Sequence, residues 1–414
     1  LRLLRAQVEL AVQPESGGDL RRKTQDLALS LRVGQKLLSF DTYQTSARNT
    51  VDPGIDRSPI AREEKERLGA LLQELAARLD TDALERGDVS RFGASMEDVR
   101  KGLAPIGAFA KRFTLFLDAN AHIDAAWLWR ERETVAVCRN TFSSVMNMFA
   151  ARPDFTYTQS SAAYYDWIER VDPALFTKIR EKAAEGRWEV IGGMWVEPDC
   201  NLPSGDSWAR QLLYAKRYFR AKLGVDVKIG WNPDSFGYNA NMPQLYRNAG
   251  IDAFITQKIG WNATNVFPHR VFFWEAGDGS RVLSYFPFDY VNEVDDPYRL
   301  VDWMRQFEAG SGFTKMMVLF GVGDHGGGPS LEMLARADRL RDLDVYPRIE
   351  YGTVAQYIAW LWRQDLSTLP VWKDELYLEY HEGTFTTQAK MKENNRKSEV
   401  LLTNAEKFAT LSTL

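Results

Sequence analysis

Residues 113–129 read FTLFLDANAHIDAAWLW, and the fold turns on how that stretch is understood. An apolar run with strand character ends at His122 and Asp124, and Trp127 and Trp129 follow at once. Side chains alternate along an extended backbone with a period of two, so the imidazole and the carboxylate fall on one side. Such a pair is half of a zinc site, to be completed by further His, Asp or Glu ligands. It equally describes a buried histidine hydrogen-bonded to an aspartate. The rest of the chain has to discriminate the two.

From residue 113 onward, strand-like and helix-like segments alternate. FTLFL leads to a helix over 133–150, with Val135, Cys138, Phe142, Val145, Met146 and Phe149 on one face. FTYTQ, RWEVIG, VKIGW, AFIT, KMMVLF and RIEYG continue the series, while RVFFWEA and RVLSYF flank GDGS as a hairpin. The rhythm predicts an α/β class: a parallel-stranded (β/α) barrel-like catalytic domain of about seven strands over 111–370. Residues 1–110 read as a partial β-rich module (AQVELAVQ, LALSLRV, QKLLSFDTYQT) and a helical linker, AREEKERLGALLQELAARL. Residues 371–414 read as a loop carrying His381 and the start of a helical bundle domain.

Composition narrows the function classes. The 414 residues carry a formal net charge of −4 with no long basic run, which argues against nucleic acid and anionic membranes as partners. No apolar stretch approaches the ~20 residues that span a bilayer. Two cysteines cannot build a disulfide framework and point to a reducing compartment, so the expected location is the cytoplasm. Thirteen tryptophans are a high usage; most belong in a core, and a few suit ring-shaped ligands.

In parallel α/β folds, ligands sit beyond the carboxyl ends of the strands. Beyond VKIGW lies NPDSFG, where Asp234 is either a helix N-cap or a carboxylate serving as nucleophile or metal ligand. Beyond KMMVLF lies GVGDHGGGP, with Asp324 and His325. Its Gly321, Gly323 and Gly326 spell the dinucleotide pattern G-x-G-x-x-G, yet Asp324 within that loop would repel a pyrophosphate. His381, in HEGTFTTQ, is uninformative by itself.

Taken in order, NAHIDAAWLW, GRWEVIGGMWVEPDCNLPSGDS, GWNPDSFGYNANMPQ, FGVGDHGGGP and HEGTFTTQ resemble glycoside hydrolase family 38, the zinc-dependent retaining α-mannosidases. EPDCNLPSG and PDSFGY resemble its cytosolic and bacterial branch. The resemblance implies one Zn2+ held by His122, Asp124, Asp234 and His381, with Asp234 doubling as the nucleophile that forms a covalent mannosyl-aspartate. It implies Asp324 as acid/base, with His325 as the alternative or as a substrate-binding neighbour. Trp127 and Trp195 are the implied sugar-binding rings, and Lys258 in TQKIGW the implied basic residue near the nucleophile. The implied partner is an α-mannoside or mannose-containing oligosaccharide, with self-association left open. Arg130, where relatives often carry proline, and Ala263, where an acidic residue is common, depart from the pattern and bear on the subsites. Members of the family are longer, with a helical bundle and β-sandwiches that complete the site's rim, so the resemblance implies a catalytic domain that need not turn over alone. A metal-dependent deacetylase or amidohydrolase and a non-catalytic sugar-binding fragment are the alternatives.

Overall fold

The computed structural model describes residues 18–39, 56–323 and 325–414. AQVELAVQ and most of QKLLSFDTYQT lie outside them. LALSLRV is not a strand but the middle of helix α1 (Gly18–Leu38). Its alternation over seven residues is overruled by the longer spacing of Thr24, Leu27, Leu31, Gly34 and Leu38, which are all buried on one helical face. Gly34 permits the close approach: a Cβ there would stand 3.2 Å from Ile106 and 3.4 Å from Leu72. Helices α2 (Arg62–Ala77), α3 (Thr81–Glu85), α4 (Val89–Gly102) and α5 (Ala104–Ala110) complete an all-helical leader. The described part of 1–110 is thus helical rather than β-rich.

Then the alternation begins, in the order β1 (Thr114–Ala119), α6 (Glu131–Ala151), β2 (Tyr157–Gln159), α7 (Ala162–Val171), α8 (Pro173–Ala184), β3 (Trp188–Val190) and α9 (Gly205–Leu223). It continues with β4 (Ile229–Trp231), α10 (Met242–Asn248), β5 (Ala253–Ile255) and the hairpin β6 (Val271–Glu275) and β7 (Arg281–Tyr285). After α11 (Pro297–Ser311) come β8 (Lys315–Phe320), α12 (Leu331–Arg341), β9 (Arg348–Tyr351), α13 (Val354–Leu361), β10 (Val371–Trp372) and α14 (Ala389–Thr413).

The pairing is parallel throughout except for the antiparallel β6–β7 hairpin, which is the mixed α/β character the sequence predicts. The strands do not form one array of about seven. They fall into three sheets, β8-β1-β9, β10-β6-β7-β5-β4 and β2-β3. A bridge between Asn120 and Thr158 joins β1 to β2, and the Gly192 N–H donates to the Ile229 carbonyl at 2.9 Å between β3 and β4. Every residue of β1 is buried, and so are those of β2, β4 and β5. A second apolar cluster, with Trp208, Tyr246, Phe254 and Trp274, packs outside the β4–β7 side. Burial of one such large side chain contributes roughly 1.5–3 kcal/mol, so the rigidity of the strand ends comes from these layers.

One buried contact below those ends brings two carboxyls together. The Thr158 hydroxyl lies 2.7 Å from Asp118 Oδ1 and 2.9 Å from Glu189 Oε2. The hydroxyl donates towards both carboxyls, so two buried acids share one donor. Glu189 also accepts from the Ala355 N–H at 2.8 Å, in the first turn of α13, where negative charge is favoured. Burial pushes the Asp118 carboxyl well above the usual range, with Glu189 nearby adding to the effect. Burial likewise raises Glu189 to about 7. A folded pKa above the unfolded one contributes stability at low pH that is lost as pH rises through the folded value. Asp118→Asn, which keeps the shape without the titration, is expected to flatten the fall in stability between pH 5 and 9. Urea denaturation across that range measures it; an unchanged slope would show that Asp118 is not shifted.

Candidate active site

The segments leaving β1, β3, β4, the β5 turn, β7 and β8 meet at one point. His122 follows β1 and is nearly buried, with 5% of its side chain exposed. Its backbone is held from two sides: the Gly326 N–H donates to the His122 carbonyl at 3.0 Å, and the Tyr164 hydroxyl donates to the Ile123 carbonyl. Thr134 donates its hydroxyl to the Asp124 carbonyl at 3.2 Å, which pins the start of the Trp-rich loop. With the backbone fixed, His122 Nε2 lies 3.3 Å from Asp124 Oδ1 and 3.5 Å from Asp234 Oδ2. The ring also meets Tyr290 edge-on, with centroids 5.0 Å apart.

Asp234 sits in the turn after β4, and its two oxygens face different neighbours. Oδ2 faces His122, while Oδ1 accepts from the Tyr290 hydroxyl at 3.1 Å and pairs with the Lys258 ammonium. Lys258 is buried in the 3₁₀ turn Lys258–Trp261, with its ammonium 3.7 Å from the centroid of the Trp261 ring. Glu197, in the loop after β3, accepts from the Asp234 N–H at 2.7 Å and from the Ser235 hydroxyl at 3.2 Å. Its other oxygen lies 3.7 Å from His122 Nδ1. Burial works to raise Asp234, but His122 and then Lys258 outweigh it and hold the carboxyl at about 2. Burial raises Glu197 to about 7; His122 draws it down and Asp234 pushes it up. His122 moves well above its ordinary value because Asp124 and Asp234 outweigh its burial.

His122, Asp124 and Asp234 each offer a ligand atom within 4.8 Å of the others. Two ligands about 2.1 Å from one tetrahedral ion lie roughly 3.4 Å apart, and the imidazole-to-carboxylate distances of 3.3 and 3.5 Å fit that spacing. One imidazole nitrogen and two carboxylate oxygens are a donor set suited to zinc. His381 is not in this group. It adopts a left-handed backbone (φ +64°) and rests its ring on Phe236, centroids 4.6 Å apart.

In front of the group opens a cleft of about 760 Å³, lined by Asp124, Trp127, Glu197, Asp234, Phe236 and, from α14, Arg396. Trp127 is 67% exposed, as a ring available to a ligand would be. Trp195 stands outside this lining, turned onto Tyr218 with centroids 5.8 Å apart. His325 lies against Trp129 at 3.6 Å. Asp324 lies outside the described residues. Glu197, Tyr290 and Trp261 are the residues that sequence reading did not single out. Glu197 follows a strand end as Asp234 does, and the same criterion applied to RWEVIG would have found it. Tyr290 carries no such signal.

The ion pair of Asp234 sets a pH dependence. A carboxyl held at about 2 contributes stability above its ordinary value near 3.8, and this is lost as pH falls through that window. Lys258→Met is expected to raise the Asp234 carboxyl and to narrow this acid-side contribution. Carbon-13 titration of the side-chain carboxyls reads the shift directly; an Asp234 signal unmoved by the substitution would show that Lys258 does not hold the charge.

Comparison with known proteins places this geometry. Residues 112–375 match the family described as Glycosyl hydrolases family 38 N-terminal domain. The chain is 39% identical over 305 residues to alpha-mannosidase 2C1 of Mus musculus, covering 72% of this chain and 29% of the relative. It is 41% identical over 284 residues to alpha-mannosidase G of Dictyostelium discoideum, covering 68% and 26%. To alpha-mannosidase of Saccharomyces cerevisiae it is 37% identical over 300 residues, covering 70% and 28%. The chain thus spans under a third of the length of these relatives. The crystal structure of an alpha-mannosidase from Enterococcus faecalis superposes with a TM-score of 0.54 at 16% identity, over 64% of this chain and 31% of that one. That likeness bears on the fold, and together with the family match it accounts for strand ends that converge on one histidine: the chain belongs to glycosyl hydrolase family 38.

Proposed function

We propose that this chain is the catalytic domain of a zinc-dependent α-mannosidase acting on terminal α-mannosides with retention of configuration. The observation that carries the reading is Asp234, which belongs to the metal group through one oxygen and is gripped by Lys258 and Tyr290 through the other. A carboxylate kept ionised and immobile is what a nucleophile at an anomeric centre requires. Alpha-mannosidase is also the name shared by the three similar relatives.

His122, Asp124 and Asp234 would hold the zinc, with His381 as the fourth ligand carried on the segment 371–414. A zinc bound there supplies Lewis acidity and a template for adjacent sugar hydroxyls. In the first step the Asp234 carboxylate attacks the anomeric carbon as the glycosidic C–O bond breaks, and Asp324 or its neighbour His325 gives its proton to the departing oxygen. In the second step that group takes a proton from water, the water oxygen bonds the anomeric carbon, and Asp234 leaves. Trp127 offers a ring face at the cleft wall for the sugar. We take 111–370 as the catalytic unit. Its cytoplasmic location rests on two buried cysteines, neither of them disulfide-bonded. No described helix is long and apolar enough to cross a membrane.

Metal content is the first measurement, because this chain covers only 29% of the length of the alpha-mannosidase 2C1 relative. About one zinc per chain is expected by mass spectrometry in the parent and none in His122→Ala. Incubation with an activated fluoro-mannoside is then expected to add one glycosyl mass to the peptide bearing Asp234, and none in Asp234→Asn. Metal without an adduct, and amide hydrolysis in its place, would shift the reading to a metal-dependent amidohydrolase.

A further inference from the structure

We infer that Glu197 is a positioning residue for the metal group: one carboxylate fastens the turn bearing Asp234 and faces the His122 nitrogen that points away from Asp124 and Asp234. The inference rests on the metal reading above and assigns a residue that the family resemblance did not.

The geometry divides Glu197 into two halves. Its Oε1 accepts from the Asp234 N–H at 2.7 Å and from the Ser235 hydroxyl at 3.2 Å, so it sets the backbone from which the Asp234 side chain projects. Its Oε2 stands 3.7 Å from His122 Nδ1, longer than a hydrogen bond, so its influence on the ring is electrostatic. Only 14% of the side chain is exposed, and the interaction is correspondingly little screened.

A neutral imidazole carries one proton on one of its two nitrogens. Nε2 is the nitrogen that lies 3.3 and 3.5 Å from the two aspartates, so a metal there uses the Nε2 lone pair and the proton belongs on Nδ1. A carboxylate only accepts, and facing Nδ1 it favours that tautomer. An amide in its place has one acceptor and one donor end. With the NH2 towards His122, it would favour a proton on Nε2 and close that nitrogen to a metal. With the NH2 towards Asp234, it would oppose the backbone N–H that now anchors the turn. Neither orientation preserves both contacts.

The test uses the full chain, labelled with 15N-histidine and loaded with zinc. Four histidines give few signals, and His122→Ala identifies the one that matters. Long-range proton–nitrogen spectra are expected to show Nδ1–H with Nε2 on the metal. Competition against a chromophoric chelator is expected to show about 10–100-fold weaker zinc binding in Glu197→Gln, at a thermal midpoint close to the parent. Glu197→Asp, which keeps the charge on a shorter arm, is expected to fall between them. If the parent binds no zinc, the metal reading fails and this inference falls with it. If the parent binds zinc but through Nδ1, or if Glu197→Gln binds within about twofold of the parent with the same tautomer, the role of Glu197 is overturned while the metal reading stands. Should Glu197→Gln not fold, the parent tautomer and the affinity of Glu197→Asp decide between the same outcomes.

Discussion

The site depends on burying the carboxylate of Asp234. An ionised carboxylate away from water is strongly unfavourable unless paired and hydrogen-bonded. Here the partners come from separate strand ends: His122 after β1, Lys258 after β5 and Tyr290 after β7. No local segment can satisfy the charge. Only assembly of the β1 sheet with the β4–β7 sheet does so, which ties the geometry of the site to the integrity of the fold.

Counting charge around that point explains what the site is suited to hold. Asp124, Asp234 and Glu197 are three carboxyl groups, and the cations facing them are His122 and Lys258. A histidine that ligates a metal is neutral. With His122 neutral, the acidic groups outnumber the one ammonium, that of Lys258, a setting that suits a bound cation. The two buried acids behave differently because their neighbours differ. Asp234, in contact with both cations, is held at about 2, whereas Glu197, for which burial dominates and Asp234 is a like charge, rises to about 7.

How much of this was legible follows from how local each signal is. The helices of the α/β region were readable because their apolar faces repeat over many turns, as in α6 with Cys138, Phe142, Val145 and Phe149 buried together. The error at LALSLRV came from a window too short for the 3.6-residue period to outvote a period of two. The division into three sheets was not legible, since pairing such as Leu117 with Val318 and Tyr351 joins positions far apart in sequence. At the site, His122, Asp124 and Asp234 were found because they are acidic or aromatic ligands just beyond apolar strands. Tyr290 escaped because a tyrosine in a loop advertises nothing until its hydroxyl meets Asp234. Trp195, a candidate sugar ring, meets Tyr218 of α9 edge-on and stands outside the cleft lining.

The loop GVGDHGG shows how a pattern can be matched without its chemistry. A phosphate cradle needs glycines whose missing side chains leave room for the ligand and free N–H groups to meet it. Here protein atoms occupy that room. A Cβ on Gly321, which adopts φ +143°, would stand 2.1 Å from the Asn120 carbonyl oxygen at the end of β1. One on Gly323 would lie 1.9 Å from Val291, beyond β7, and one on Gly326 2.5 Å from Thr141 of α6. The N–H groups are engaged too: Gly326 donates to the His122 carbonyl, Gly327 to the Thr141 hydroxyl and Gly328 to the Val322 carbonyl. The glycines let the loop after β8 close on the ends of β1 and β7 and hold His122 from behind. A carboxylate ligand group and the loop that braces it are thus one construction, and the dinucleotide spacing is a by-product of that close packing.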